Sequence, residues 1–349
     1  MMTSPGGCRL IGLLLVASAG GASMAADAPE APFFAAIGVS TKRDALQAAE
    51  QAAGSMMAKF RARRRRPEAV IFLDRSGRHD AAEGRAIGQR VQAVAKAPTY
   101  GTGGQTGPAG VTWWAKTDFE PTFQVLGLAG AGLSARPFFA AGAVDDDPNA
   151  VRLRAESLGG QLAAVGEGGF GLFLGAVPAP QAGRYLSALR RAAPAHLPLI
   201  GIAGQEGDYV YADGRPEQAG VGQLVLAVAA DVRLAFAGTA SRNVADAEAV
   251  LAEADAVAGA ARRKLGAEAP ALVIAFSDPG RMRTAGLGPP GKELQRMQGA
   301  LGGDVPVFGC YAPMQVGVDS EGRPSVGPGR IMLVALAEKG DPSGKAGKE

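Results

Sequence analysis

The sequence predicts an α/β fold with mixed sheets, made of three related helix–strand–helix–strand–hairpin–strand units. Three observations predict it. Pro98-Thr-Tyr-Gly101-Thr-Gly-Gly104-Gln105-Thr-Gly107 and Pro198-Leu-Ile-Gly201-Ile-Ala-Gly204-Gln205-Glu-Gly207 share one P-x-x-G-x-x-G-Q-x-G pattern, and Pro306-Val-Phe-Gly309 opens a looser third copy ending Gln315-Val-Gly317. About 25 residues after each proline stands an apolar run: TFQVLGLA at 122–129, QLVLAVA at 223–229 and RIMLVALA at 330–337. About 30 residues before each proline stands another: AVIFLD at 69–74, FGLFLG at 170–175 and ALVIAFS at 271–277. Short continuous apolar runs bounded by Gly, Pro or Asp are the pattern of strands buried on both faces, and a fixed period points to a repeated module.

Helices fill the intervals. Thr41-Lys-Arg-Asp44 resembles a capping box ahead of an Ala-rich helix with Leu46, Ala49, Ala53, Met57 and Phe60 along one side. Asp147 caps the second unit's first helix with Pro148 at its first position, and Asn243 caps the third. Ile87 and Val91, Tyr185 and Leu189, and Leu294 and Met297 mark a second helix in each unit. Asp213-Gly214 and Glu321-Gly322 fall where hairpins turn. The expected units are 35–142, 143–240 and 241–338.

Composition sets the outer limits. With 349 residues, 47% hydrophobic and 20% charged, the chain has ample material for a packed core. The near balance of 36 basic and 33 acidic residues speaks against a disordered polyelectrolyte and a dedicated nucleic-acid binder. Two Cys exclude a disulfide framework, two His disfavour a His-rich metal site, and no glycine segment has the form of a phosphate loop. No cofactor and no metal are expected.

The first 25 residues have the layout of a signal peptide. Arg9 precedes an apolar stretch from Leu10 to Ala19, too short to span a bilayer, and Ser23-Met24-Ala25 fits cleavage before Ala26. No later segment reaches spanning length. The expected protein is periplasmic or secreted, has no integral membrane segment, and keeps Cys310 as its one thiol after cleavage. A polar Gly/Pro-containing tail at 339–349 is expected to be disordered.

Candidate site residues cluster in the repeated motif. Gly101, Gly104, Gly201, Gly204 and Gly309 end strands, where exposed N–H groups cradle a carboxylate or where glycine serves only the turn or tight packing between units. Gln105, Gln205 and Gln315 recur at one position, as amides that orient a polar ligand or satisfy loop backbone. Asp208, Tyr209 and Tyr211 offer a carboxylate and two aromatic faces for an ammonium group, or act as cross-strand pairs. Tyr311 flanks the third motif. Cys310 is a nucleophile only with a base nearby, His79 or His196, and otherwise an inert buried thiol. His79, close to Asp74 and Arg75 after a strand, sits where α/β proteins gather ligands. The run Arg61–Arg66 is expected to be a solvated helix end. Trp113 and Trp114 line a partner surface or anchor a core.

On these motifs the chain resembles the FIST family of sensory modules. Pro198–Gly204, Tyr211-Ala-Asp-Gly214 and the strand 223–229 follow the order of its N-terminal domain, and the segment 307–317 is similar to a degenerate version of its C-terminal signature. Met314 replaces the family's glycine and Gln315 its glutamate. The resemblance implies a FIST N-like region over 26–240 and a FIST C-like unit over 241–338. It also implies a ligand-binding sensory function, without catalysis, for amino acids or small carboxylates, with the signalling partner unspecified.

Two alternatives stand beside it. Triplicated units of this length are also similar to ring-opening amidohydrolases of the cyanuric acid hydrolase kind, which use a Lys–Ser pair in each unit. Residues 143–240 contain no lysine, so a threefold Lys–Ser system is excluded while another hydrolytic route stays open. The other alternative is a structural, partner-binding protein.

Overall fold

One parallel strand pairing occurs three times in the same register. In the computed structural model β2 (Ala69–Asp74) lies parallel to β3 (Thr99–Gly103), β6 (Gly169–Ala176) to β7 (Leu199–Gly204), and β11 (Pro270–Ser277) to β12 (Val307–Tyr311). Gly101, Gly201 and Gly309 stand opposite Phe72, Phe173 and Ala275. The carbonyls of Pro98, Pro198 and Pro306 accept from the amides of Val70, Gly171 and Val273 at 2.8, 2.9 and 2.9 Å. β4 (Phe123–Ala129), β9 (Gly222–Ala229) and β15 (Ile331–Glu338) then pair antiparallel with β2, β6 and β11. The fold is α/β, triplicated, with three mixed sheets. The structure describes residues 32–77, 79–103, 123–130, 132–141, 147–177, 179–204, 209–213, 222–239, 246–284, 292–303, 305–319 and 323–339.

Three strands were not expected. β1 (Phe34–Ser40), β5 (Ser134–Ala141) and β10 (Val232–Gly238) pair antiparallel with β4, β9 and β15, each at an edge of its sheet. Half-buried edges lack the continuous apolar run that betrays a central strand, and Pro137 inside β5 is the sort of residue that only an edge tolerates. A further surprise is exchange. β8 (Tyr209–Ala212) pairs with β3 of the preceding repeat, and β13 (Met314–Val318) pairs with β7, with β14 (Pro324–Gly327) returning along it. The sheets thus hold five, four and six strands, ordered β1-β4-β2-β3-β8, β10-β15-β11-β12 and β14-β13-β7-β6-β9-β5.

Equivalent positions of all three sheets meet in one central apolar core. Ile71, Leu172 and Ile274 form one set; Leu73, Leu174 and Phe276 another; Leu126, Leu226 and Val334 a third. Residues of opposite parity face outward beneath helices, as the two-residue period of a strand requires. α1 (Ala45–Ala62) and α2 (Ala81–Ala95) cover the first sheet, and α3 (Pro148–Gln161) with α4 (Ala179–Ala192) cover the next. α5 (Ala247–Leu265) and α7 (Lys292–Leu301) cover the third, with the short α6 (Pro279–Thr284) between them in sequence.

Helix starts follow local chemistry. Asp147 accepts from the amides of Asn149 and Ala150 with Pro148 at the first position, as expected. Asp80 and Glu83 make a reciprocal capping box. The first helix begins later than expected: Asp44 itself is the cap, accepting from Gln47 N, because an aspartate one turn into the helix is a better cap than a partner for Thr41. Asp246 caps α5, and Asn243 lies outside the described residues. Among the described residues no helix is long and apolar enough to cross a membrane.

Candidate functional site

Asp74 ends β2 and is fully buried, a position that demands partners for a carboxylate. Its Oδ1 accepts from the Ser76 amide at 2.8 Å and from Ser76 Oγ at 2.6 Å, the turn by which an Asp two residues upstream closes a strand. Its Oδ2 accepts from the Tyr209 hydroxyl at 2.9 Å. Tyr209 comes from the exchanged strand β8, so the second repeat completes this site of the first. Its ring fills the space left by Gly84 of α2 and Gly103 of β3: a Cβ at either position would come within 2.5 and 2.7 Å of it.

His79 enters from the stretch before α2. Its Nε2 lies 3.1 Å from Ser76 Oγ and 3.3 Å from Asp74 Oδ2, and its Nδ1 lies 3.6 Å from Glu83 Oε2. The side chain keeps 13% of its surface exposed, so the ring is reachable from solvent. A hydroxyl, an imidazole and two carboxylates thus occupy the carboxyl end of a parallel strand pair, where open α/β sheets place their chemistry.

On the inward side of the same strand end, polar residues interrupt the central core. Gln124 takes the place that Leu224 and Met332 hold in the other repeats, and its Oε1 accepts from Gly309 N at 3.3 Å. Arg75 follows Asp74 and reaches Cys310, donating from Nη2 to Sγ at 3.2 Å. Cys310 is equivalent to Thr102 and Ile202, and Thr102 Oγ1 donates to the Tyr209 carbonyl at 2.7 Å.

A second polar cluster stands at the equivalent end of β11. Glu293 of α7 accepts from Arg281 Nε at 2.9 Å, and from Ser277 Oγ and the Tyr311 hydroxyl at 3.1 Å each. Arg281 also donates to Glu253 at 2.5 Å and to the Val250 carbonyl at 3.1 Å. Burial pushes the Glu293 carboxyl above the ordinary carboxylate range, against the pull of Arg281 and of the two hydroxyls. Burial also opposes the charge on Arg281, but Glu293 and Glu253 outweigh it. Each nitrogen of this guanidinium and both oxygens of Glu293 are engaged within the protein, and the cluster ties α5, α6 and α7 to the sheet.

The expected site residues are distributed over all three sheets. A Cβ on Gly201 would lie 2.0 Å from the Phe173 carbonyl oxygen and one on Gly309 1.7 Å from that of Ala275, so both glycines permit close approach of parallel strands. Gly101 is closed off by the Phe72 ring. Tyr211 donates to Gln92 of α2 at 2.8 Å, while Tyr311 serves Glu293. Gln315, fully buried, donates to the carbonyls of Ala312 and Ser277 and leaves Oε1 without a partner. Gly204 ends β7. Gly104, Gln105, Gln205, Asp208, Trp113 and Trp114 lie outside the described residues. His196 faces the Val165 carbonyl at 3.0 Å, remote in sequence from Cys310. Among the described residues no group of three or more His, Cys, Asp or Glu could hold a metal.

Ser76, Tyr209 as a partner of Asp74, and Gln124 escaped sequence reasoning. The spacing Asp74-x-Ser76-x-x-His79 was visible, as was the glutamine interrupting an apolar run. The strand exchange that brings Tyr209 to Asp74 had no local signal.

No protein-family model and no curated protein matches the chain. Among solved structures it is similar to cyanuric acid hydrolase from A. caulinodans, at 14% identity and a TM-score of 0.44, over 88% of this chain and 99% of that one. It is also similar to T. maritima PurL complexed with AMPPCP, at 11% identity and a TM-score of 0.30, over 88% of this chain and 73% of that one. These findings overturn the resemblance to FIST proteins: no family model matches the chain. The expectation of a non-catalytic sensory module falls with it, since the short glycine-dominated motifs that carried it are explained by the close approach of parallel strands.

Proposed function

We propose that the protein is a hydrolase that attacks the carbonyl carbon of a small amide or ester with the hydroxyl of Ser76. The observation that carries this reading is the placement of Ser76 Oγ 3.1 Å from His79 Nε2 at the carboxyl end of β2. A serine becomes a nucleophile when a base takes its proton as it attacks, and an imidazole at this distance can do so. For attack the Ser76 hydroxyl turns its proton from Asp74 Oδ1, which accepts it at 2.6 Å, to His79 Nε2, which passes it to the leaving group; water then gives His79 a proton as it attacks the acyl carbon, and His79 returns that proton to Ser76 Oγ. Glu83, beside Nδ1, stabilises the imidazolium; Asp74, held by Tyr209, fixes the serine. The likeness to cyanuric acid hydrolase lends no weight at its level of similarity. Lacking lysine in 143–240, this chain also needs another route than a Lys–Ser pair in every repeat.

The test is hydrolysis of a panel of linear and cyclic amides and esters by the wild-type chain, Ser76→Ala and His79→Ala, with a fluorophosphonate probe to label the nucleophile. The expected result is probe attachment at Ser76 and a kcat lowered at least about 100-fold in either variant. Turnover undiminished in Ser76→Ala, or a folded wild-type chain that hydrolyses nothing and takes no label, would overturn it.

A further inference from the structure

Five arginines occupy positions 61–66, at the C-terminal end of α1, and hydrolysis gives them no task. Arg65 lies 5.8 Å over the Phe34 ring and donates to the Pro32 carbonyl. Arg61, Arg63, Arg64 and Arg66 are exposed and have no ion pair among the described residues. A helix C-terminus favours cations within its last turn, but Arg64 and Arg66 lie beyond α1, and four exposed guanidinium groups with no ion pair among the described residues make a positive patch that attracts an anion.

An apolar groove of about 380 Å³ opens beside this patch, between β1 and the last turn of α1. Residues 34–37, Ala62 and Pro306 line it together with Lys59 and Arg63. Its size is at the lower end of small-molecule sites. Lys59 Nζ donates to the Ile37 carbonyl at 2.6 Å, which occupies the outer edge of β1 where an added strand would pair. That carbonyl is therefore already engaged, and the apolar lining offers its surface to a hydrocarbon body. An apolar trough ending in cations is complementary to a molecule with one apolar and one anionic end.

We propose that this groove binds a free amphipathic carboxylate, its hydrocarbon chain against residues 34–37, Ala62 and Pro306, and its carboxylate at Arg63 and Lys59. The site lies on the outer edge of the first sheet and does not depend on the hydrolase reading.

Calorimetric titration of the full chain with hexanoate, octanoate and decanoate, each below its micellar concentration, tests the proposal. Affinity is expected to rise about fourfold per added methylene, the factor that burial of one CH₂ supplies, until the groove is filled. Arg63→Glu should weaken decanoate binding at least tenfold, and decanol, with the chain but no charge, should bind at least tenfold more weakly than decanoate. Ala62→Trp, at an exposed position, should block the groove and abolish binding with the melting temperature unchanged. Affinity that is flat across the series, binding indifferent to Arg63→Glu or Ala62→Trp, or a chain that takes anionic vesicles or acidic peptides but no free carboxylate would each overturn it.

Discussion

The hydroxyl of Tyr209 donates to Asp74 Oδ2 at 2.9 Å across 135 positions of sequence, and it does so because β8 has crossed onto the sheet of the preceding repeat. The bond joins two repeats at a strand end where a serine and a histidine also meet. Removing it leaves a buried carboxylate with one partner fewer. Tyr209→Phe keeps the ring that fills the space over Gly84 and Gly103, so the loss is confined to the hydroxyl. A hydrogen bond to a charged group is worth about 1.5–3 kcal/mol. The expected outcome is an unfolding free energy lowered by that amount, read as a fall in urea midpoint at unchanged m, together with slower turnover wherever Ser76 is active.

The motif glycines permit a second test. At Gly309 φ is +154° and an added Cβ would lie 1.7 Å from the Ala275 carbonyl oxygen; at Gly201 the values are +156° and 2.0 Å from Phe173. Neither obstacle can move, because each oxygen belongs to a central strand. Overpacking costs about 1–3 kcal/mol and an unfavourable φ about as much again, so Gly309→Ala and Gly201→Ala should each lower stability by several kcal/mol or prevent folding. Gly101 is not among the positive-φ glycines and its obstacle is the Phe72 ring rather than backbone, so only the overpacking cost applies and Gly101→Ala should cost less. Equal losses at all three positions in urea denaturation would contradict this ranking.

The two outcomes bear on what the sequence could disclose. The central strands were legible because burial on both faces writes a continuous apolar run, and the proline offsets already placed Gly101, Gly201 and Gly309 in equivalent positions. The edge strands were not, since β5 with Arg136 and Pro137 resembles a loop until its pairing with β9 is seen. Local sequence likewise carries no address for an exchanged strand: Tyr209 and Tyr211 look like an ordinary hairpin pair. For the site, Asp74 and His79 were recognised, but Ser76 joins them through a turn whose geometry only coordinates reveal. The short motifs taken to resemble a sensory family expressed strand approach instead.

Tyr211 predicts a loss of stability in alkali. Burial, with the charge of Asp213 adding to it, pushes its hydroxyl from 10.0 up to about 12. Between those values the unfolded chain has released a proton that the folded chain still holds, so stability falls as pH rises through that interval and is fully present below it. Tyr211→Phe should flatten the dependence of urea midpoint on pH between about 10 and about 12 relative to the wild type. A slope identical in the two chains would mean that this hydroxyl is no more buried when folded than when unfolded.

Two glycines inside helices should respond in opposite directions to the same change. Ala is preferred to Gly in a helix interior by about 1 kcal/mol, so substitution stabilises wherever there is room. At Gly54 of α1 nothing lies within 4 Å of an added Cβ, and Gly54→Ala should raise stability by about 0.5–1 kcal/mol. At Gly88 of α2 the same atom would come within 2.3 Å of the Tyr211 ring, which is pinned between α2 and β8 by the bond from its hydroxyl to Gln92. Overpacking of about 1–3 kcal/mol outweighs the helical gain, and Gly88→Ala should be destabilising. Gly88→Ala combined with Tyr211→Ala would then recover part of the loss, because the ring that obstructs the methyl group is gone. If Gly88→Ala stabilises the chain as Gly54→Ala does, α2 does not sit on Tyr211, and the seating of the exchanged strand beneath this helix is wrong.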